Sequence, residues 1–319
     1  MDSGDSPSLL ELRARSERGD PEAMYFLGRR LYEGDGVPID YEAAAELLRR
    51  SAEAGIPEAQ YTYGYLCCYG IGVPTDKVAA IRWYRKAANQ GYAEAQYGLG
   101  YMCDVGEGIP VNKMEAAKWY MLAADNGHTG AQCNLGNLYY NGWGVRRDKT
   151  EALRLFAEAA KHGNPDALFN LGRMYEIGDG VEVNDSMAVC FYEEGAKNGD
   201  AHSLLNLGLR YLYGYGVRLD EQIAARMIDA AARKGDDMAQ YTLGDMYMSG
   251  TGVDKDPFAA ARMFAASAKK WNAAAIFRLG MLYLRGEGVA QDDRRGKGLV
   301  RLAAELGNPE AETLAATFR

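Results

Sequence analysis

A fixed period organises this chain. Aligned on its glycines, the sequence divides from Pro21 onward into eight consecutive repeats of 36 residues, beginning at Pro21, Pro57, Ala93, Thr129, Pro165, Ala201, Asp237 and Ala273, with no insertion or deletion between them. Such self-similarity marks a stacked array, in which each short supersecondary unit has an apolar side that it cannot bury alone and must press against its neighbours. The stretch Pro57–Gly72, PEAQYTYGYLCCYGIG, shows the pattern, and the rest of the chain is variation on it and on the helix that follows.

Each repeat spells two helices. In the first, Pro21 suits an opening turn, and Ala23, Leu27 and Leu31 fall four apart on one face of helix A. A glycine recurs in the middle of that helix, from Gly28 and Gly64 to Gly244 and Gly280, at a cost of about 1 kcal/mol relative to alanine. Close approach of helix B is the physical reason, with the small Ala44 and its equivalents facing the gap. A pair such as Gly34 and Gly36 then ends helix A and turns the chain, and Val37 plugs the space between the helices. Asp or Asn follows where helix B needs an N-cap: Asp40, Asp76, Asn112, Asp148, Asn184, Asp220, Asp256 and Asp292. A glycine closes helix B in every repeat but the seventh, which has Trp271. In the eighth, Gly296 and Gly298 predict a weak, frayed helix B.

Residues 1–20 read as an N-terminal capping helix, with Ser6 as N-cap and Pro7 in the first turn, and residues 309–319 as a C-terminal capping helix. The run from Leu135-Gly136 through Tyr139 to Gly142, Gly144 and Val145, then D-x-x-x-A and a closing A-A-x-x-G, resembles the Sel1-like repeat, a relative of the tetratricopeptide repeat with a longer inter-helix loop. The likeness covers residues 21–308. It implies an all-α fold, a right-handed α-solenoid of stacked antiparallel helix pairs whose concave wall is lined by helix A, and an adaptor role in holding protein partners.

Charge and composition narrow the partners. A net charge of -8 over 319 residues disfavours nucleic acid, which calls for a basic stripe. No apolar run approaches the roughly 20 residues of a membrane span, and the opening MDSGDSPS lacks a secretory pattern, so no membrane is expected and a cytoplasmic location is. The five cysteines, Cys67, Cys68, Cys103, Cys133 and Cys190, read as reduced and mostly buried. His128, His162 and His202 lie near repeat junctions in different repeats, without metal-ligand spacing. The G-x-G pairs end helices and are not phosphate loops. No cofactor and no catalytic group is expected.

Positions fixed in every repeat are explained by packing, so recognition is sought where the repeats differ. The second, sixth, ninth and thirteenth residues vary and share one face of helix A. In the second and third repeats this face reads Tyr65, Tyr69 and Tyr101 with Glu58 and Glu94; in the fourth to sixth it reads Asn134, Asn137, Asn141, Asn170, Arg173, Asn206 and Tyr213. Tyrosine gives contact area at small entropy cost, and asparagine pairs both groups of an extended backbone, so the wall suits a peptide or protein segment. The plainer reading places the tyrosines in the inter-repeat core and the glutamates at helix N-termini. Further on the face turns apolar, with Leu209, Leu212, Met238, Met248, Met281 and Leu284. Either a partner helix docks there, or the superhelix or a second copy of the chain covers it.

The leading expectation is a non-enzymatic scaffold that binds a protein segment in its groove. The resemblance also admits an immunity or inhibitor protein that neutralises a toxin or effector. It admits, least well, a β-lactam hydrolase of the cysteine-rich type, whose paired disulfides this chain lacks.

Overall fold

The computed structural model describes residues 7–318. Among these there are eighteen helices and no strand. They fall into two compact bodies, Met1–Ala159 and Ala160–Arg319.

The N-terminal body opens with α1 (Leu9–Glu17), followed by three helix A/helix B pairs: α2 (Pro21–Glu33) with α3 (Tyr41–Glu53), α4 (Pro57–Tyr69) with α5 (Lys77–Asn89), and α6 (Ala93–Val105) with α7 (Lys113–Asp125). Then come α8 (Thr129–Asn141) and α9 (Lys149–Lys161). The C-terminal body pairs α10 (Pro165–Ile177) with α11 (Asp185–Lys197), α12 (Ala201–Tyr213) with α13 (Glu221–Arg233), α14 (Asp237–Ser249) with α15 (Pro257–Ala268) and α16 (Ala273–Arg285) with α17 (Asp293–Glu305), and ends on α18 (Pro309–Ala315). Within each body, consecutive helices pack on one another. The core is therefore a chain of small clusters, such as that of Cys67, Ala80, Tyr84 and Leu99, rather than one centre.

Local chemistry sets the boundaries. All eight Asp and Asn residues before helix B accept a backbone N–H of its first turn, as Asp40 does from Ala43 at 3.0 Å and Asp148 from Glu151 at 3.0 Å. Ser8, not Ser6, caps α1, accepting from Glu11 N–H at 3.2 Å. Ser6 lies outside the described residues.

The mid-helix glycines do mark close approach, but the group that fills the gap is large. A Cβ on Gly172 would stand 2.5 Å from the ring of Tyr192, one on Gly100 2.5 Å from Tyr120, and one on Gly28 2.9 Å from Leu48. Ala44 contributes its carbonyl behind, 3.3 Å away, rather than its methyl group. The buried rings of Tyr120, Tyr192, Phe156 and Phe264 are thus seated over bare helix backbone.

The second loop glycine serves the next interface. Gly72 rests on the first turn of α3, where a Cβ would run into the Tyr41 carbonyl; Gly252 does the same to Glu221, and Gly288 to Pro257. Trp271 keeps the backbone of the glycine it replaces, with φ of 64°, and is the one non-glycine residue of positive φ among those described. Its side chain is exposed. Helix α17 is not frayed: it runs its full 13 residues, because Gly296 admits Leu284, whose Cγ lies 2.7 Å from where a Cβ would be.

Candidate interaction groove

The variable face of helix A is divided between the two bodies. In the N-terminal body Tyr69 and Tyr101 are exposed, Tyr65 is half-buried, and the Tyr65 and Tyr69 rings lie 4.6 Å apart. Asn134 and Asn137 are half-buried and Asn141 is exposed. Their amides are partly engaged: Asn134 donates to the Tyr120 hydroxyl at 3.2 Å, and Asn141 to the Asn137 carbonyl at 2.8 Å. In the C-terminal body Asn170 and Asn206 are half-buried, whereas Arg173 and Tyr213 are exposed. Asn206 donates to the His202 carbonyl at 2.8 Å, and the Arg173 guanidinium sits 5.9 Å from the Phe169 ring. None of the ten is sealed from solvent.

A concavity forms within the C-terminal body, where the A helices of the sixth to eighth repeats stand side by side. It has a volume of about 1160 Å³, and Leu209, Leu212, Met238, Met248, Phe277 and Met281 supply its apolar lining. Five of these, all but Phe277, belong to the set that the sequence marks as apolar. Leu284 does not join them: it turns onto α17 over Gly296 and packs with Ile276 and Val300. Tyr213, Tyr241, Thr242, Asp245, Arg278 and Arg285 add polar atoms.

The polar centre of this groove is Asp245. Arg278 approaches one of its oxygens at 3.4 Å, the two side chains being 38% and 44% exposed, so the pair is solvated and loose. Tyr241 stands beside them, its phenol pushed up from the ordinary tyrosine range first by burial and then by the negative charge of Asp245.

Sequence reading passed over Arg210. Its position is apolar elsewhere, as Leu66, Met102, Leu138, Met174, Met246 and Leu282, apart from Arg30. Its guanidinium is only 6% exposed, 2.6 Å from Glu176 and 2.7 Å from Asp185, so one cation joins α10, α11 and α12. Glu176 also accepts from the Tyr192 hydroxyl at 2.5 Å. In the third repeat the equivalent pair is Asp104 with Lys113, at 2.7 Å. Where Asp185 stands in place of that lysine, Arg210 from the next repeat supplies the missing charge. The signal in the sequence was a charge in an apolar column.

The histidines act locally. His128 accepts the Ala131 N–H at 3.1 Å through Nδ1 and faces Glu94 at 3.2 Å through Nε2, while His202 meets Asp236 at 2.9 Å. No disulfide links the cysteines: Cys67, Cys68, Cys103 and Cys133 are buried and Cys190 is exposed. Among the described residues no cluster of three or more His, Cys, Asp or Glu side chains is placed to hold a metal ion, and no helix is long and apolar enough to cross a membrane.

The model of the Sel1 repeat family matches residues 21–56, 57–92, 93–128, 129–164, 165–200, 201–236, 237–270 and 273–308. Among solved structures, the chain is similar to c5321, a protective antigen present in uropathogenic Escherichia coli strains displaying an SLR fold. The identity is 34% and the TM-score 0.82, over 97% of this chain and 67% of that one. It is also similar to a Sel1 repeat protein from Oxalobacter formigenes, with 33% identity and a TM-score of 0.71 over 97% and 90% of the two chains. Comparison with curated proteins gives no match.

Proposed function

The chain belongs to the Sel1 repeat family, and from that premise we propose that it is a protein-interaction scaffold whose C-terminal body holds an apolar segment of a partner protein. The observation that carries the reading is the groove itself. Leucine and methionine side chains line it, Met238 exposed and Leu209, Leu212, Met248 and Met281 half-buried. Methionine suits this role, since its flexible thioether adapts to the shape laid against it. The tyrosines and asparagines of the same face, Tyr65, Tyr69, Tyr101, Asn134, Asn137 and Asn141 in the N-terminal body and Asn170, Arg173, Asn206 and Tyr213 in the C-terminal one, would supply polar contacts to further segments of the partner.

The test replaces two groove methionines by acids. M248E/M281E puts charge on the floor; both methionines are half-buried and lean on the neighbouring core clusters, so binding is read only on a chain whose helicity by circular dichroism matches the wild type. A partner recovered with the wild-type chain should lose affinity by at least about tenfold, the equivalent of ~1.4 kcal/mol. Undiminished binding by a folded M248E/M281E chain refutes the groove.

A further inference from the structure

Asp245 is out of character with its surroundings. It occupies the ninth position of helix A, and the residues at that position in the other repeats are Arg29, Tyr65, Tyr101, Asn137, Arg173, Leu209 and Met281, so it is the one carboxylate in the series. Its two neighbours in the series, Leu209 and Met281, line the same groove. A negative charge therefore stands in the middle of an apolar floor, with an apolar contact on the repeat before it and another on the repeat after it.

Its partners inside the protein are the Tyr241 side chain, which hydrogen-bonds to it, and Arg278. Asp245 is partly exposed, and its one ion-pair partner, Arg278, touches a single oxygen from 3.4 Å with almost half its own surface in water. Pairs of that kind contribute little to stability. A purely apolar segment laid across this floor would cover the carboxylate and strip its remaining water, leaving it only Tyr241 and the loose Arg278 contact, a penalty that disfavours such a ligand. A segment carrying one cation at the right place keeps the charge satisfied, and the bond gains strength as water leaves. The other charges at the groove, Glu221, Arg285 and Glu310, come from the first turn of α13, the last turn of α16 and the first turn of α18. They sit at helix ends, where charge is ordinarily solvated.

We infer that the groove selects a peptide segment in which one lysine or arginine is flanked on both sides by apolar residues, with Asp245 taking the basic side chain and Leu209 and Met281 taking its neighbours. The inference rests on the groove reading given above and adds the chemistry of its occupant. Arg278 is the competitor that the incoming cation displaces or shares, and not part of the recognition.

The test selects a phage-displayed library of random linear peptides on the full chain, then measures synthetic copies of the enriched peptides by calorimetry. Enriched sequences are expected to carry a single lysine or arginine between apolar residues. D245N, which keeps size and shape, should weaken them at least tenfold; replacing the basic residue by norleucine should do the same, and the two changes together should cost little more than either. R278Q should bind as well as the wild type or better. Enrichment of peptides without a basic residue, or an affinity within twofold of wild type in D245N, overturns the selectivity while leaving the groove intact, provided M248E/M281E still abolishes binding. Enrichment of acidic peptides lost in R278Q overturns it in favour of the opposite charge. A library that yields no peptide dependent on Met248 and Met281 overturns the groove and this inference with it.

Discussion

Arg210 gives the sharpest test of how the repeats are joined. Replacing it by methionine, the residue at the equivalent Met174 and Met246, keeps the volume of an apolar column but removes the cation that Glu176 and Asp185 share. Breaking a fully buried pair by removing one partner costs about 3–5 kcal/mol, whereas an exposed pair is worth about 0.2–1 kcal/mol. Arg210 is 6% exposed, but Glu176 and Asp185 are 32% and 42% exposed, so water repairs part of the loss. The expected cost is about 2 kcal/mol. At about 2–4 °C per kcal/mol for a body of this size, the melting temperature falls by about 4–8 °C. Adding D185K recreates next to Glu176 the pair that Lys113 makes with Asp104, so R210M/D185K should recover half of the loss or more. Thermal unfolding by circular dichroism reads both variants, and hydrogen exchange should show the change concentrated in α10, α11 and α12. If R210M melts at or above the wild-type temperature, or D185K rescues nothing, the bridge is not what holds these helices.

Three other expectations follow from the same contacts. Gly172→Ala should destabilise by about 1–3 kcal/mol despite alanine's better helix propensity, because its Cβ would press on the Tyr192 ring, while Gly298→Ala, with nothing within 4 Å, should stabilise by about 0.5–1 kcal/mol in denaturant titrations. Trp271→Gly should raise the denaturation midpoint by the equivalent of about 1 kcal/mol, since a residue with a Cβ at φ of 64° carries strain and the exposed ring gives little back; a drop would show that the ring has a structural partner. Burial pushes Tyr61 and Tyr63 up to about 12, and Tyr84, Tyr120 and Tyr192 higher still. A raised folded value means that their contribution is whole below the unfolded value of about 10 and is lost as pH climbs toward 12. Burial also raises the Cys67, Cys68 and Cys103 thiols, so stability should start to fall above about pH 8.5 and fall more steeply beyond about 9.5, with tyrosinate absorbance from these rings appearing only on unfolding.

What was legible in the sequence was whatever the chain decides locally. Asp40 and its equivalents cap the helix they precede, and Gly70 ends the helix it follows with its N–H on the Leu66 carbonyl, each through atoms a few residues away. Identities of partners across the fold were not legible. The gap at Gly100 is filled by Tyr120, 20 residues on, and nothing in the spacing distinguishes that ring from Ala116, the alanine equivalent to Ala44. Gln60 donates to the Ala52 carbonyl at 3.1 Å and accepts from Gln90 at 2.9 Å, and Gln96 repeats this with Ala88 and Asn126 at 3.1 and 3.0 Å. That ladder joins residues 30 apart whose amides look like ordinary surface polarity in the sequence. In the groove, the apolar drift of helix A was visible, but not that Leu284 turns away onto Gly296 or that Asp245 stands among the apolar side chains.

The contact made by Gly72 on Tyr41, and by Gly252 and Gly288 on the matching residues before them, gives the array a rule for changing length. The connectors at Gly72, Gly108, Gly144, Gly216, Gly252 and Gly288 each sit on the first turn of helix B in the preceding repeat, and these seats are alike, so one repeat offers the next an acceptable seat. Excising or duplicating 36 residues within one body leaves each seat occupied, whereas adding a single residue to a connector unseats it. Growth and loss by whole modules is then the cheap route for such a gene, and the recognition face can be lengthened, trimmed or recombined without redesigning the joints.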